Sequence, residues 1–304
     1  MAHSLKAPRR KARKDPAELN VRLTHPDRVI FSDPDVTKRD LAVYYARIAA
    51  WMLPHVAGRP LAILRCPVGT DDTCFFQKHP PAGLPTTVQR IRIREKKQEG
   101  TYLEIDDVQG LVALVQHGVI EVHVWGSRSE DVEKPDRLVF DLDPDASVDW
   151  IEVIRGAQLL RQNLHQVGLE SFVKTTGGKG LHVVAPIQRR HEWPAVKSFC
   201  REFARRIADA DPDQYTVNPQ KLQRRGKIFI DYLRNERGAT AVAPYSVRAH
   251  PSAPIALPVS WDELPRLRGP QQFTIANSLA RVQRRGDPWQ AMFRVRQSLP
   301  KSPS

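Results

Sequence analysis

The sequence predicts an α+β protein in which a mixed or antiparallel β-sheet is flanked by helices. Three observations predict it. Several runs carry apolar residues at helical spacing, strand-like runs lie between them, and the two kinds mix rather than alternate strictly. The 304 residues are 41% hydrophobic, enough for a sizeable core.

Residues 1–20 carry Lys6, Arg9, Arg10, Lys11, Arg13 and Lys14 ahead of any acidic residue and present no apolar face, so a basic, disordered arm is expected there. Residues 21–290 are expected to form the domain, and 291–304 a tail. Thr37-Lys38-Arg39-Asp40 reads as a capping box. Leu41, Tyr44, Tyr45, Ile48, Trp51 and Met52 then recur at helical spacing, with Pro54 ending the run. Strands are expected at 61–64, 88–93 and 102–105, and a helix at 111–116. Residues 119–125 alternate like a strand, with Glu121 and His123 on one face and Ile120, Val122 and Val124 on the other.

The second half is patterned more sharply. Leu138-Val139-Phe140 is a buried strand running into Asp141-Leu142-Asp143-Pro144. A helix follows on Ile151, Ile154, Ala157, Leu160, Leu164 and Val167, and Gly168 stops it. Strands at 171–174 and 181–187 are joined by Thr175-Thr176-Gly177-Gly178-Lys179-Gly180. A second helix carries Val196, Phe199, Cys200, Phe203 and Ile207, and 227–233 is a further strand. Residues 250–270 are proline-rich and irregular, before a last helix at 274–284.

Composition narrows the functions. No stretch approaches 18 consecutive apolar residues, so no membrane span is expected. The N-terminus has no apolar signal-peptide segment. Cys66, Cys74 and Cys200 lack CxxC spacing, which argues against a zinc ribbon and against a disulfide framework; three reduced thiols in a cytoplasmic protein are expected. The formal charge of +13 favours polyanionic partners.

Asp141 and Asp143 stand two apart at a strand end, so both carboxylates share a face. Carboxylates so close resist joint ionisation, a conflict that a hard divalent cation such as Mg²⁺ or Mn²⁺ removes. The alternative is an Asp-Pro turn. Asp231 lies in the otherwise apolar run Ile228-Phe229-Ile230-Asp231, where a carboxylate needs a metal or an arginine such as Arg224, Arg225 or Arg234. A pair plus a third strand aspartate suits a two-metal phosphoryl-transfer site. The glycine loop before His182 can bring backbone amides to an anion, with Lys179 adding a charge, or it is a plain hairpin turn. It lacks Walker A spacing and enters a strand. Arg248 is a further phosphate candidate. In Phe75-Phe76-Gln77-Lys78 one phenylalanine is expected to be buried and the other free to stack on a base.

Taken together, these segments resemble the polymerase domain of bacterial DNA ligase D, a branch of the archaeo-eukaryotic primase superfamily. The matching pieces run in family order over roughly residues 20–270: Leu23 to Phe31 with Thr37-Lys38, Phe75 to Lys78, Glu121 to Gly126, Asp141 to Pro144, Lys174 to His182, Gly226 to Arg234, and Tyr245 to Arg248. The resemblance implies a primase-type catalytic core and template-directed nucleotide addition at broken DNA ends. It further implies a preference for ribonucleotides, manganese or magnesium as cofactor, and a role beside the Ku protein and a DNA ligase in end joining at the bacterial nucleoid. By the same resemblance, Asp141, Asp143 and Asp231 hold two metal ions, and Thr176, Gly178, Lys179, His182 and Arg248, with His123 nearby, contact the incoming nucleotide. Lys38, Arg28 and His25 bind a 5′-phosphate, and Phe75, Phe76 and Lys78 meet nucleotide or template.

Thr176 stands where many relatives have serine, Val124 where many have proline, and His25 where many have asparagine. No KxDG-type ligase nucleophile is present in the sequence. Rival readings are a stand-alone primase, a phosphohydrolase using Asp141 as nucleophile, and a non-catalytic DNA-binding module. The third is disfavoured because clustered carboxylates repel phosphate.

Overall fold

The computed structural model describes residues 21–300; the basic run at 1–20 lies outside them. A hairpin of β1 (Val29–Ser32) and β2 (Asp35–Thr37) leads into α1 (Lys38–Val56). The predicted capping box is present: Thr37 Oγ1 accepts from the Asp40 amide at 3.2 Å, and Asp40 Oδ2 accepts from the Thr37 amide at 3.1 Å. Pro54 sits inside α1 rather than ending it, because a proline in the last turn leaves the following residues free to complete that turn.

The chain continues through β3 (Leu61–Arg65), β4 (Phe75–Gln77), β5 (Gln89–Arg94), β6 (Glu99–Glu104), α2 (Val108–Gln116) and β7 (Val119–Trp125). A hairpin, β8 (Ser127–Arg128) and β9 (Asp131–Pro135), precedes β10 (Arg137–Pro144) and α3 (Trp150–Gln166). Then come β11 (Phe172–Thr175), β12 (Leu181–Pro186), α4 (Trp193–Ala210), β13 (Tyr215–Thr216) and β14 (Ile228–Asp231). β15 (Thr240–Val242), β16 (Pro258–Val259) and α5 (Ser278–Arg285) close the fold.

Two six-stranded sheets result. One runs β13-β14-β10-β12-β11-β16, antiparallel except for β13 beside β14. The other runs β15-β7-β3-β6-β5, with β4 added on β3. Strand alternation sorts β10: Leu138, Phe140 and Leu142 are fully buried, with Phe140 against Phe203 of α4, whereas Asp141 and Asp143 remain partly open. The helices α3 and α4 pack on this first sheet, and α1 and α2 pack on one another. Among the described residues no helix is long and apolar enough to cross a membrane.

Three further expectations need correction. The strand expected at 227–233 stops at Asp231, whose Oδ1 accepts from the Leu233 amide at 2.8 Å and turns the chain into a short 3-10 helix, Leu233–Asn235. Cys66 and Cys74 are bonded rather than reduced. β3 pairs with β4 so that Arg65 faces Phe75, which sets the next two residues outward opposite each other with Cα atoms 4.3 Å apart. Only Cys200 of the three is a free, buried thiol. Finally, Phe75 and Phe76 are both half exposed, at 50% and 51%, because the three-residue β4 is a short strand paired only with β3.

Candidate active site

The site forms where the two sheets meet at the carboxyl end of β10. Asp141 is the register partner of Asp231 across β10 and β14, and of His182 across β10 and β12. Asp231, distant in sequence, is thus brought to the same patch of sheet as Asp141 and Asp143. Arginines hold them: Arg234 reaches Asp141 at 3.3 Å and Asp231 at 3.2 Å, and Arg224 reaches Asp143 at 2.9 Å. With the side chains so engaged, no group of three or more His, Cys, Asp or Glu that could hold a metal is found among the described residues.

The electrostatics separate the three carboxyls. Burial opposes ionisation of Asp141, but His182 at 3.4 Å, Arg234 and Lys174 outweigh it and hold the carboxyl well below the usual range. Burial, reinforced by the Asp141 charge, pushes Asp143 up. Asp231 is raised as well, by burial first and then by Asp141, with Arg234 opposing. Two carboxylates strained by a third are oxygen donors whose conflict a divalent cation relieves, so the donor set fits a hard metal ion.

The loop 175–180 is the β11–β12 hairpin connection, and it also lines the site. It folds round one hydroxyl: Thr176 Oγ1 accepts from the Gly178 amide at 3.2 Å and the Gly180 amide at 3.3 Å, and donates to Gly180 O at 3.0 Å. A hydroxyl residue suits this position for that reason. A Cβ on Gly180 would lie 1.8 Å from Leu142 O, so only glycine lets the loop close against β10. Gly177 adopts φ +67°, and a Cβ there would meet Arg248 Cγ at 2.8 Å. Arg248 Nη1 donates to Thr176 O at 2.7 Å, and exposed Lys179 faces Asp143.

A cavity of about 330 Å³ joins these parts. Asp141 and Asp143 line it on one side, Thr176, Gly178 and Lys179 on another, and His123, His182 and Arg248 complete it. Sequence reasoning offered Arg234 only as a partner for Asp231, which it is, and missed three further neighbours. Arg234 and His250 also line the cavity. Lys174, 2% exposed and opposite His182 in the β11–β12 register, favours the ionised form of Asp141, while burial pushes its own pKa well below the usual lysine range. Glu121 is the third. Its buried carboxylate accepts from the Ala249 amide at 2.8 Å, lies 2.8 Å from His123 Nε2, and pairs with Arg248 Nε at 2.9 Å. Burial opposes its ionisation, yet His123, Arg248 and that amide bring its pKa down to about 2. The alternation that set Glu121 and His123 on one strand face was the available signal. Burial lowers the His123 pKa, with Glu121 opposing.

The remaining candidates, Asp231 among them, do not line the cavity. The Phe76 ring stands edge-on to His123 at 5.2 Å, and Lys78 Nζ reaches Gly238 O at 3.5 Å. Lys38 is buried, and its Nζ donates to the carbonyls of Thr24 at 3.0 Å and Gln116 at 2.9 Å. Its pKa is lowered by burial and by neighbouring Arg28. The first amides of α1 are already used, Lys38 N by Arg28 O and Arg39 N by Pro26 O, so they are not free for an anion. Arg28 donates to Pro67 O at 2.8 Å, and His25 is exposed with φ 50°.

A carboxylate set on paired strands, facing a glycine loop with a lysine and an arginine, defines a nucleotidyltransferase of the primase-polymerase type. Comparison with known proteins agrees. The family model for the LigD primase-polymerase domain matches residues 37–289, and the chain belongs to that family. It is 37% identical over 286 residues to the multifunctional non-homologous end joining protein LigD of Pseudomonas aeruginosa, covering 93% of this chain and 34% of that protein. It is 34% identical over 281 residues to the LigD end-joining DNA repair protein of Mycobacterium tuberculosis, covering 89% of this chain and 37% of the relative. The chain therefore spans about a third of the length of these relatives. Among solved structures, the polymerase domain of Mycobacterium tuberculosis ligase D in complex with DNA superposes with a TM-score of 0.84 at 33% identity, over 90% of this chain and 97% of that one.

Proposed function

We propose that this chain extends nucleic acid strands at DNA ends or gaps by template-directed nucleotidyl transfer, preferring ribonucleotides, in bacterial non-homologous end joining at the nucleoid. The observation that carries the reading is the single cavity in which Asp141 and Asp143 face Lys179 and Arg248. Asp141, Asp143 and Asp231 would hold two divalent ions, Mn²⁺ or Mg²⁺. Bound there, such ions lower the pKa of an attacking 3′-hydroxyl and neutralise charge on a leaving pyrophosphate.

The chain's own residues do the rest. Arg224 and Arg234 keep the carboxylates neutralised until they are displaced. Lys179, His182 and Arg248 bind the triphosphate, and the loop around Thr176, with Gly178, fixes where Lys179 stands. Glu121 orients His123 and Arg248 toward the nucleotide. Phe75 and Phe76 offer base-stacking surface worth roughly 1–3 kcal/mol each. By the family resemblance Lys38, Arg28 and His25 would bind the 5′-phosphate across a gap, and Lys78 would make a further DNA contact. Ku and a DNA ligase are the partners that the family resemblance suggests, and residues 21–290 are taken as the polymerase domain between a basic arm and a tail.

The phosphate contacts carry no information about the sugar, so ribonucleotide preference rests on one extra hydrogen bond, about 0.5–1.5 kcal/mol or a few- to about tenfold. Comparing kcat/KM for ATP and dATP in primer extension with Mn²⁺ tests this. A modest ribonucleotide preference supports the reading, and strict deoxynucleotide selectivity refutes it. Strands made without any primer would favour a stand-alone primase.

A further inference from the structure

A second basic cavity lies at the other end of β10. Arg137 opens that strand, and its four-residue separation from Asp141 is about 13 Å at strand rise. Between them Val139 is covered by Trp289 and Met292, which closes this cavity off from the active site along the strand. The cavity measures about 420 Å³ and is lined by Arg59, Arg128, Arg137, Arg189 and Arg296, with Asp136 as its one lining carboxylate.

The charges there do not balance. Arg59, 1% exposed, holds Asp136 in a two-pronged pair at 2.7 and 2.5 Å. Arg128 and Arg137 reach the same carboxylate only at 3.4 Å each. Arg189 has its own partner in Glu130, whereas Arg296 donates only to the Phe293 and Val295 carbonyls. Three guanidinium groups thus share one carboxylate, and Arg296 meets only carbonyls. Arg137 is 6% exposed, and its Nε has no hydrogen-bond partner among the described residues. Burial, with Arg59 and Arg128 adding to it, brings the Arg137 pKa down to about 9. A buried, under-bonded guanidinium facing a cavity is costly unless an oxyanion completes its donors. Guanidinium forks match phosphate oxygens in pairs.

We propose that this cavity is a second phosphate-binding site, separate from the polymerase cavity, which takes a phosphate group either from a nucleic acid strand or from a free small anion. The site is built by Arg137 and Arg59 from within and completed by Arg128 and Arg296 at its rim.

The test is calorimetric titration of the full chain with inorganic pyrophosphate in EDTA, on wild type, Lys179→Ala and the double variant Arg128→Ala/Arg296→Ala. Arg137→Gln is the direct variant, but it risks the fold; the rim variant leaves the buried pair intact, and circular dichroism with primer extension checks that it is folded. The expected result is a binding component that survives Lys179→Ala and weakens on the order of tenfold or more in the rim variant, as loss of charged hydrogen bonds requires. Repeating the titration with an oligonucleotide lacking a terminal phosphate separates the sources. Weaker oligonucleotide binding by the rim variant assigns the site to a strand, and unchanged oligonucleotide binding with lost pyrophosphate binding assigns it to a free anion. Curves for both probes that superpose on wild type overturn the proposal.

Discussion

Asp141 and Asp231 are register partners on adjacent antiparallel strands, and a single guanidinium, that of Arg234, holds both carboxylates at 3.3 and 3.2 Å. A cation arriving at the pair competes with that arginine. Removing it leaves the two carboxylates unneutralised, so Arg234→Gln should bind Mn²⁺ more tightly in the absence of nucleotide. Arg234 is 40% exposed, so solvent screening limits the gain to about tenfold. Titration of free Mn²⁺ by electron paramagnetic resonance measures it, and weaker binding by the variant would mean that the metal does not sit between these strands.

Glu121 contacts no substrate in this reading; it fixes two residues that do. Truncation leaves His123 without its carboxylate hydrogen-bond partner and Arg248 without its ion-pair partner. Charged hydrogen bonds contribute about 1.5–3 kcal/mol each, so Glu121→Ala should lower kcat/KM for nucleotide by roughly 10–100-fold. Steady-state extension kinetics decide, with KM expected to carry much of the loss because Arg248 meets the phosphates.

Gly180 and Gly269 give a matched pair. A methyl group on Gly180 would lie 1.8 Å from Leu142 O, whereas nothing lies within 4 Å of one on Gly269. Gly180→Ala must therefore push the loop off β10, and a displacement of about 1 Å at a reacting site costs on the order of a hundredfold in rate. Gly269→Ala should extend primers at nearly the wild-type rate. Similar rates for the two variants would show that the loop is not pinned to β10.

His55 sets a pH dependence of stability. It is fully buried, and that burial lowers its pKa from 6.5, although Asp287 at 3.3 Å opposes the shift. The unfolded chain then takes up a proton on this histidine before the folded chain does. Its contribution is fully present above pH 6.5 and is lost as pH falls through the lowered folded value. Asp287, whose pKa is also lowered, acts in the same direction at lower pH. Urea midpoints measured from pH 8 down to about pH 5 should fall less steeply for His55→Gln than for wild type; parallel slopes would exclude His55 as a source.

Much of this was legible in the sequence because the signals are local. The capping box at Thr37, the alternation over 119–125 and the apolar strand running into Asp141 each depend on residues a few positions apart. The pairing of Asp231 with Asp141 was harder, since register between strands 90 residues apart is a tertiary property. Arg234 was foreseen as a partner for Asp231 but not its sharing with Asp141, and the buried Lys174 and Glu121 were invisible for the same reason: charged residues look alike until the fold brings them together. The Cys66–Cys74 bond was misread because spacing rules for cysteine ignore a hairpin that puts two of them opposite each other. Phe75 and Phe76 were misread because a short added strand has no buried face.

The most direct measurement is Mn²⁺-dependent primer extension by Asp141→Ala beside the wild-type chain, with binding of the same primer–template followed by fluorescence anisotropy. Asp141 neighbours Asp231, His182 and Arg234 at once, so its loss should abolish extension. DNA binding should persist, because the positive surface supplies the affinity. Near-normal turnover by Asp141→Ala would contradict the assignment of catalysis to this carboxylate patch.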